Sequence, residues 1–160
     1  MEEQEILCTI YQEVLSITPE WKAMGAWKDD ERSDVHIRVE YANRYVCPEC
    51  GKEAKLHDHR IRRLRHVDAC GNQMILEVNV PRIKCPEHKA KQLDAPFAEK
   101  HSMYTKLFET RVIEWLKTMS VNAVAKKVNI GWDAVDNIRK HVVKRSTASA
   151  PYRPDGHTSQ

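Results

Sequence analysis

"KCPEHKA" at residues 84–90 and "CPECG" at 47–51 decide how this chain folds. Each holds two soft ligands separated by two residues: Cys47 and Cys50 in one, Cys85 and His88 in the other. A Cys-x-x-Cys or Cys-x-x-His segment makes a tight turn whose backbone N–H groups support thiolates. Two such turns supply the four N/S donors of a tetrahedral zinc site. Gly51, directly after the second cysteine, suits a turn that needs positive φ. The 34 residues between the pairs, 51–84, exceed the usual gap. A hairpin inside that gap would return the chain to its start. His57 and His59 of "LHDH" remain alternatives to His88 as fourth ligand. No open coordination position is suggested, so the expected zinc is structural. Its binding free energy would stabilise a module with a thin core.

The gap does read as a hairpin. "RIRRLRHV" and "QMILEVNVPRI" flank "DACGN", with the turn expected at Gly71-Asn72. Arg62, Leu64 and His66 would face one way, and Ile61, Arg63, Arg65 and Val67 the other. This makes a ribbon with exposed arginines suited to a nucleic-acid backbone. Cys8 and Cys70 read as ordinary thiols.

Upstream, residues 3–15 set Ile6, Leu7, Ile10, Tyr11, Val14 and Leu15 on one helical face, and Pro19 ends the helix. After the turn-like "KDDERSD", "VHIRVEY" alternates as a half-buried strand. Downstream of Pro96 the period changes to 3.6. Tyr104, Leu107, Phe108, Val112, Trp115 and Leu116 share a face of a helix near 105–118.

"SVNAVAKKVNIGWDAVDNIRKHVVKR" then has a helix-turn-helix pattern. Ala125 is small where helices cross, Asn129 can take the left-handed turn position, Ile130 would plug the core, and Val135 and Ile138 point inward. Gly131 is a weak N-cap. The second helix, about 132–144, would enter the major groove with Trp132, Asp133, Asp136, Asn137, Arg139 and Lys140 outward and Lys144 further along. Asn137 can read adenine; Arg139, Lys140 and Lys144 can hold guanine or phosphate. Against this, two aspartates lie near the helix start.

Charge supports an anionic partner. Residues 1–46 hold 5 basic and 10 acidic groups, whereas the remainder is +8 within a total of +3. The acidic, amphipathic N-terminus lacks the form of a signal or transit peptide, and no apolar run could span a bilayer. A cytoplasmic protein with reduced thiols is expected, which favours metal binding for its 5 cysteines.

"CPECGKEAKLHDH", "RRLRHVDAC", "VPRIKCPEH", "APFAEKHSMYTKLFE" and "SVNAVAKKVNIGWDAV", in this order, resemble the N-terminal region of the ISL-three family of bacterial insertion-sequence transposases. The resemblance runs from about residue 10 to 145. It implies Cys47, Cys50, Cys85 and His88 as zinc ligands, a helix-turn-helix over 121–144, and recognition of double-stranded DNA at terminal inverted repeats. In the family, a ribonuclease-H-like domain with acidic metal-binding residues follows. Here fifteen polar residues follow Arg145, so no acidic triad is assignable and no catalysis by this chain alone is expected. Phe97 stands where Trp is familiar.

The expected class is α+β: an N-terminal helix and strand segment (1–46), a zinc ribbon with its β-hairpin (47–100), a three-helix helix-turn-helix unit (101–146) and a flexible tail (147–160). The expected function is sequence-specific DNA binding with structural Zn2+ and a possible homodimer. The alternatives are a zinc-containing protein-interaction or dimerisation module, or a transposase-derived regulator of transposition.

Overall fold

The computed structural model describes Thr9, Gln12, Glu13 and residues 19–149. The apolar face expected for the first helix (Ile6, Leu7, Ile10, Tyr11, Val14, Leu15) and the tail beyond Ser149 lie outside the described residues. The chain is α+β, with strands β1 (Trp21–Asp29), β2 (Asp34–Tyr41), β3 (Lys55–Ala69), β4 (Asn72–Lys84) and β5 (Lys91–Gln92). Helices α1 (Lys106–Leu116), α2 (Val121–Val128) and α3 (Trp132–Ser149) follow. Two compact units divide between Phe108 and Glu109.

The first unit is built on a sheet of order β1-β2-β4-β3, with β5 on β4. β2 carries the expected alternation, with Ile37 and Val39 fully buried. β1, which the sequence reading left unassigned, pairs antiparallel with β2. Its register shifts at a bulge between Ala23 and Gly25. The turn joining them is held by the Asp29 carboxylate, which accepts from the N–H groups of Glu31 (3.1 Å) and Arg32 (3.3 Å). At the outer edge of β1, the Gln12 side chain donates to Trp21 O and accepts from Ala23 N–H.

β2 and β4 pair in parallel, and a parallel pair needs a crossover. Residues 42–54 and β3 form that crossover, so the segment before Cys47 and the hairpin after it share one sheet. The β3–β4 hairpin turns on Cys70 (φ 52°) and Gly71 (φ 77°), with Ala69 opposite Asn72. The expected turn at Gly71-Asn72 is thus shifted by one residue. A two-residue turn with both φ positive matches strand twist. Gly71 supplies the freedom at its second position, and Asn72 Nδ2 bonds Cys70 O (3.2 Å).

β4 serves two cores. Met74, Leu76, Val78 and Val80 join Trp21, Ile37, Val39 and Leu64 in the main cluster. Ile83 joins Cys47, Ala54 and Cys85 in a second, smaller cluster. Alternation explains the split, because residues 80 and 83 face opposite sides of a strand. Phe97, Trp21, Tyr41 and Tyr45 link the clusters through consecutive ring contacts of 5.7, 5.2 and 5.9 Å.

Near its turn, β3 is covered by residues 103–105. Arg65 N–H donates to Met103 O (2.9 Å), and Thr105 N–H to Arg65 O (3.0 Å). His66 is buried there with Nδ1 2.7 Å from Thr105 Oγ1. That oxygen accepts from Phe108 N–H (3.2 Å), capping α1 and leaving the hydroxyl proton for the imidazole.

In the second unit, α2 starts at Ser120, whose hydroxyl accepts from Ala123 N–H (3.2 Å). It ends at Asn129 in the expected left-handed conformation (φ 56°, ψ 52°). Ile130 N–H then bonds Ala125 O (3.1 Å), and α3 begins after Gly131. Ala125, Val135 and Ile138 are buried as expected, together with Val124 and Val128, whereas Ile130 is only half-buried. Leu107, expected on the buried face of α1, is exposed; Glu109 is buried and meets Arg145 of α3 at 3.2 Å. α3 also runs beyond its expected end near 144.

His66 makes folding pH-dependent. Burial lowers its pKa from 6.5 to about 4, so between these values the unfolded chain takes up a proton that the native state refuses. Stability therefore falls as pH drops through this window, by roughly 3 kcal/mol in total. Urea unfolding at pH 7 and pH 4 should show His66→Gln losing less stability than wild type. Equal losses would contradict a buried, neutral His66.

Candidate metal centre and nucleic-acid interface

The knuckle at 47–51 is a backbone device. Gly51 N–H donates to Cys47 O (2.9 Å), Cys47 N–H to Lys52 O (2.9 Å) and Ala54 N–H to Tyr45 O (2.9 Å). Gly51 has φ +71°, the left-handed value its position calls for. The second knuckle follows directly from β4, and β3–β4 pairing brings the two together. One donor atom from each of Cys47, Cys50, Cys85 and His88 lies within 4.8 Å of all the others.

Three edges of this cluster fit zinc. Cys50 Sγ and Cys85 Sγ are 3.5 Å apart, and His88 Nδ1 lies 3.7 Å from Cys47 Sγ and 3.5 Å from Cys85 Sγ. Tetrahedral zinc with Zn–S of about 2.3 Å and Zn–N of about 2.0 Å requires edges near ~3.8 and ~3.5 Å. His57 and His59 are exposed on β3 and lie outside the cluster, whose fourth member is His88.

Electrostatics favour a cation there. The Cys85 thiol is lowered to about 6, first by its hydrogen bond with the His88 ring and then by the Glu87 backbone N–H. For Cys50, the Lys52 N–H pulls downward, but burial and the other two sulfurs leave it raised overall. Three sulfurs crowded together resist ionising jointly unless a dication compensates them. The outer partners were not legible beforehand. His88 Nε2 is 3.1 Å from Glu49 Oε2, which fixes the ring so that Nδ1 faces the sulfurs. Lys91 pairs with Glu49, and Lys52 with Glu87 across the knuckles.

The expected DNA-contacting residues fall into two sets. On the ribbon, Arg62 donates to the carbonyls of Glu99 and Ser102, both at 2.8 Å, and burial lowers its pKa. Arg65 is buried, bonds Asp68 (2.7 Å) and lies over the Phe108 ring (5.2 Å). Both are committed to the fold's own groups, contrary to the expectation of exposed arginines. Arg63 is exposed and lies 3.3 Å from Glu77.

On α3, Trp132 is 63% exposed, and Asn137, Arg139, Lys140 and Lys144 are all at the surface. Asp136 pairs with Lys140 (2.7 Å) and with Arg139; these two cations, Lys140 first, hold its carboxyl below the usual range. Two cations of this helix face are therefore already paired with a carboxylate of the same helix.

Comparison with known proteins agrees with this geometry. Residues 44–88 match the family model described as "zinc-finger of transposase IS204/IS1001/IS1096/IS1165". Residues 93–143 match "Helix-turn-helix domain of transposase family ISL3". This chain carries the zinc ribbon and the helix-turn-helix of ISL3-family transposases. It is 29% identical over 112 residues to the transposase for insertion sequence element IS1557 of Mycobacterium tuberculosis, in strains CDC 1551 / Oshkosh and ATCC 25618 / H37Rv. That alignment takes in 69% of this chain, which spans about a quarter of the length of these relatives. No solved structure matches it. No helix among the described residues is long and apolar enough to cross a membrane.

The zinc ribbon makes two linked predictions. Cys85→Ser should reduce bound zinc and melting temperature together; an unchanged melting temperature would contradict a structural site. Glu49→Gln keeps all four donors but loses the carboxylate behind His88. Competition with a chelator should show about 10- to 100-fold weaker zinc binding, and wild-type affinity would contradict the outer-partner role.

Proposed function

We propose that this chain is the DNA-recognising part of a transposase and binds the terminal inverted repeats of its element. The observation that carries this reading is the exposed face of α3 within a segment matching the family's helix-turn-helix. In this proposal α3 lies in the major groove. Asn137 reads a base edge, because its carboxamide can donate to and accept from adenine. Lys140, Arg139 and Lys144 hold phosphate or guanine, and Trp132 packs at the groove edge. Of Arg62, Arg63 and Arg65, Arg63 alone remains a phosphate contact, since Arg62 and Arg65 serve the fold.

The chain acts here by binding, with zinc shaping the ribbon and no catalysis assigned to its residues. Such a chain could occupy element ends without cutting them and so regulate transposition, in the cytoplasm and as a homodimer if the ends pair. A protein-docking role is the second reading, favoured by exposed Trp132 and by Asp136 neutralising its neighbours.

Two variants test the DNA reading. Asn137→Ala with Lys140→Ala should weaken binding to an inverted-repeat duplex more than to random duplex, measured by fluorescence anisotropy. Equal loss on both would mean α3 only positions backbone. Asp136→Asn releases two cations, so random-duplex affinity should rise severalfold and the salt dependence steepen. Unchanged affinity with a retained fold would contradict contact between this face and DNA and favour protein docking.

A further inference from the structure

At the open end of the ribbon, Lys55 of β3 stands directly opposite Lys84 of β4. Both side chains are exposed. Like charges in directly opposed positions repel and weaken a sheet. Three neighbouring basic groups are paired instead: Arg82 with Asp58 (2.9 Å), Lys52 with Glu87 and Lys91 with Glu49. Among the described residues, neither Lys55 nor Lys84 has an ion-pair partner.

The pair is also held in place. Lys84 immediately precedes Cys85, and Lys55 follows Ala54, whose N–H is bonded to Tyr45 O. Closing the metal site therefore fixes both lysine backbones. Together with Glu53, Cys85 and Pro86 they line a surface cavity of about 320 Å³. The one carboxylate on that rim leaves a net positive charge facing solvent.

We infer that Lys55 and Lys84 form a phosphate clamp that grips the backbone of duplex DNA at the zinc end of the ribbon. This rests on the DNA-binding reading and adds to it a site separate from α3. A bridging phosphate supplies the negative charge that the opposed lysines lack. Two phosphate-directed cations also contribute salt-sensitive affinity without reading sequence.

The test uses the zinc-loaded full chain and a short mixed-sequence duplex, with anisotropy titrations over a range of salt. Lys55→Ala with Lys84→Ala should weaken binding roughly tenfold and reduce the slope of log K against log salt by about 1 to 2. Zinc content should stay unchanged, and the melting temperature should hold or rise as the repulsion disappears. Lys84→Glu should raise the melting temperature by pairing with Lys55 while weakening binding further. Lys55→Arg with Lys84→Arg should bind like wild type.

An alanine variant with wild-type affinity and slope, beside a wild-type chain that binds duplex, overturns the clamp alone. A zinc-loaded wild-type chain that binds no duplex overturns the DNA-binding reading and the clamp with it. Loss of binding in the arginine variant, with zinc and melting unchanged, contradicts a clamp made by charge.

Discussion

Four donors from two turns have to meet around one tetrahedral centre, and much of the first unit is arranged by that demand. Cys47 and Cys50 precede a long hairpin, and Cys85 and His88 follow it. The hairpin must return to within about one residue's width of its start for the set to close. β3–β4 pairing achieves this, and Ile83, Ala54, Tyr45 and Leu93 pack around the cysteines. This cluster is too small to hold its loops by apolar burial alone, so metal ligation and the hairpin support one another. The aromatic series from Phe97 to Tyr45 ties that cluster to the larger sheet core.

Charge is distributed with comparable economy. The sequence offers many cations for an anionic partner, yet several have internal work. Arg62 satisfies two carbonyls, Arg65 lies against Phe108, and Arg145 meets the buried Glu109. A buried carboxylate of this kind is costly unless paired, so Arg145 serves packing before any ligand. Asp136 ties down Arg139 and Lys140 on the face that would meet DNA. In the proposed complex, such pairing would lower non-specific attraction to phosphate and leave a larger share of affinity to directional groups such as Asn137. The knuckle end differs, since Lys55 and Lys84 face each other without a pairing carboxylate among the described residues.

What could be read from the sequence followed from local rules. Ligand spacing gave the metal site because few arrangements bring Cys-x-x-Cys and Cys-x-x-His together. Asn129 was legible because few residues besides glycine tolerate left-handed backbone. β2 and the buried positions of α2 and α3 followed from simple periodicity. β1 escaped because the bulge at Ala23/Gly25 breaks the two-residue period, placing Trp21, Ala23 and Ala26 out of regular alternation. The fates of Arg62 and Arg65 escaped because residues 99–108, far along the chain, cover them. Burial of Glu109 escaped because its partner, Arg145, lies 36 residues further along the chain. Glu49 behind His88 gave no signal, since a glutamate in a surface loop has no distinguishing pattern.

The central claim is that Cys47, Cys50, Cys85 and His88 together bind one zinc ion that shapes the ribbon. X-ray absorption at the zinc edge of the purified chain addresses it most directly. The account predicts a single four-coordinate site with three sulfurs at about 2.3 Å and one imidazole nitrogen at about 2.0 Å. A first shell dominated by oxygen and nitrogen, or a folded chain that retains no zinc, would contradict it.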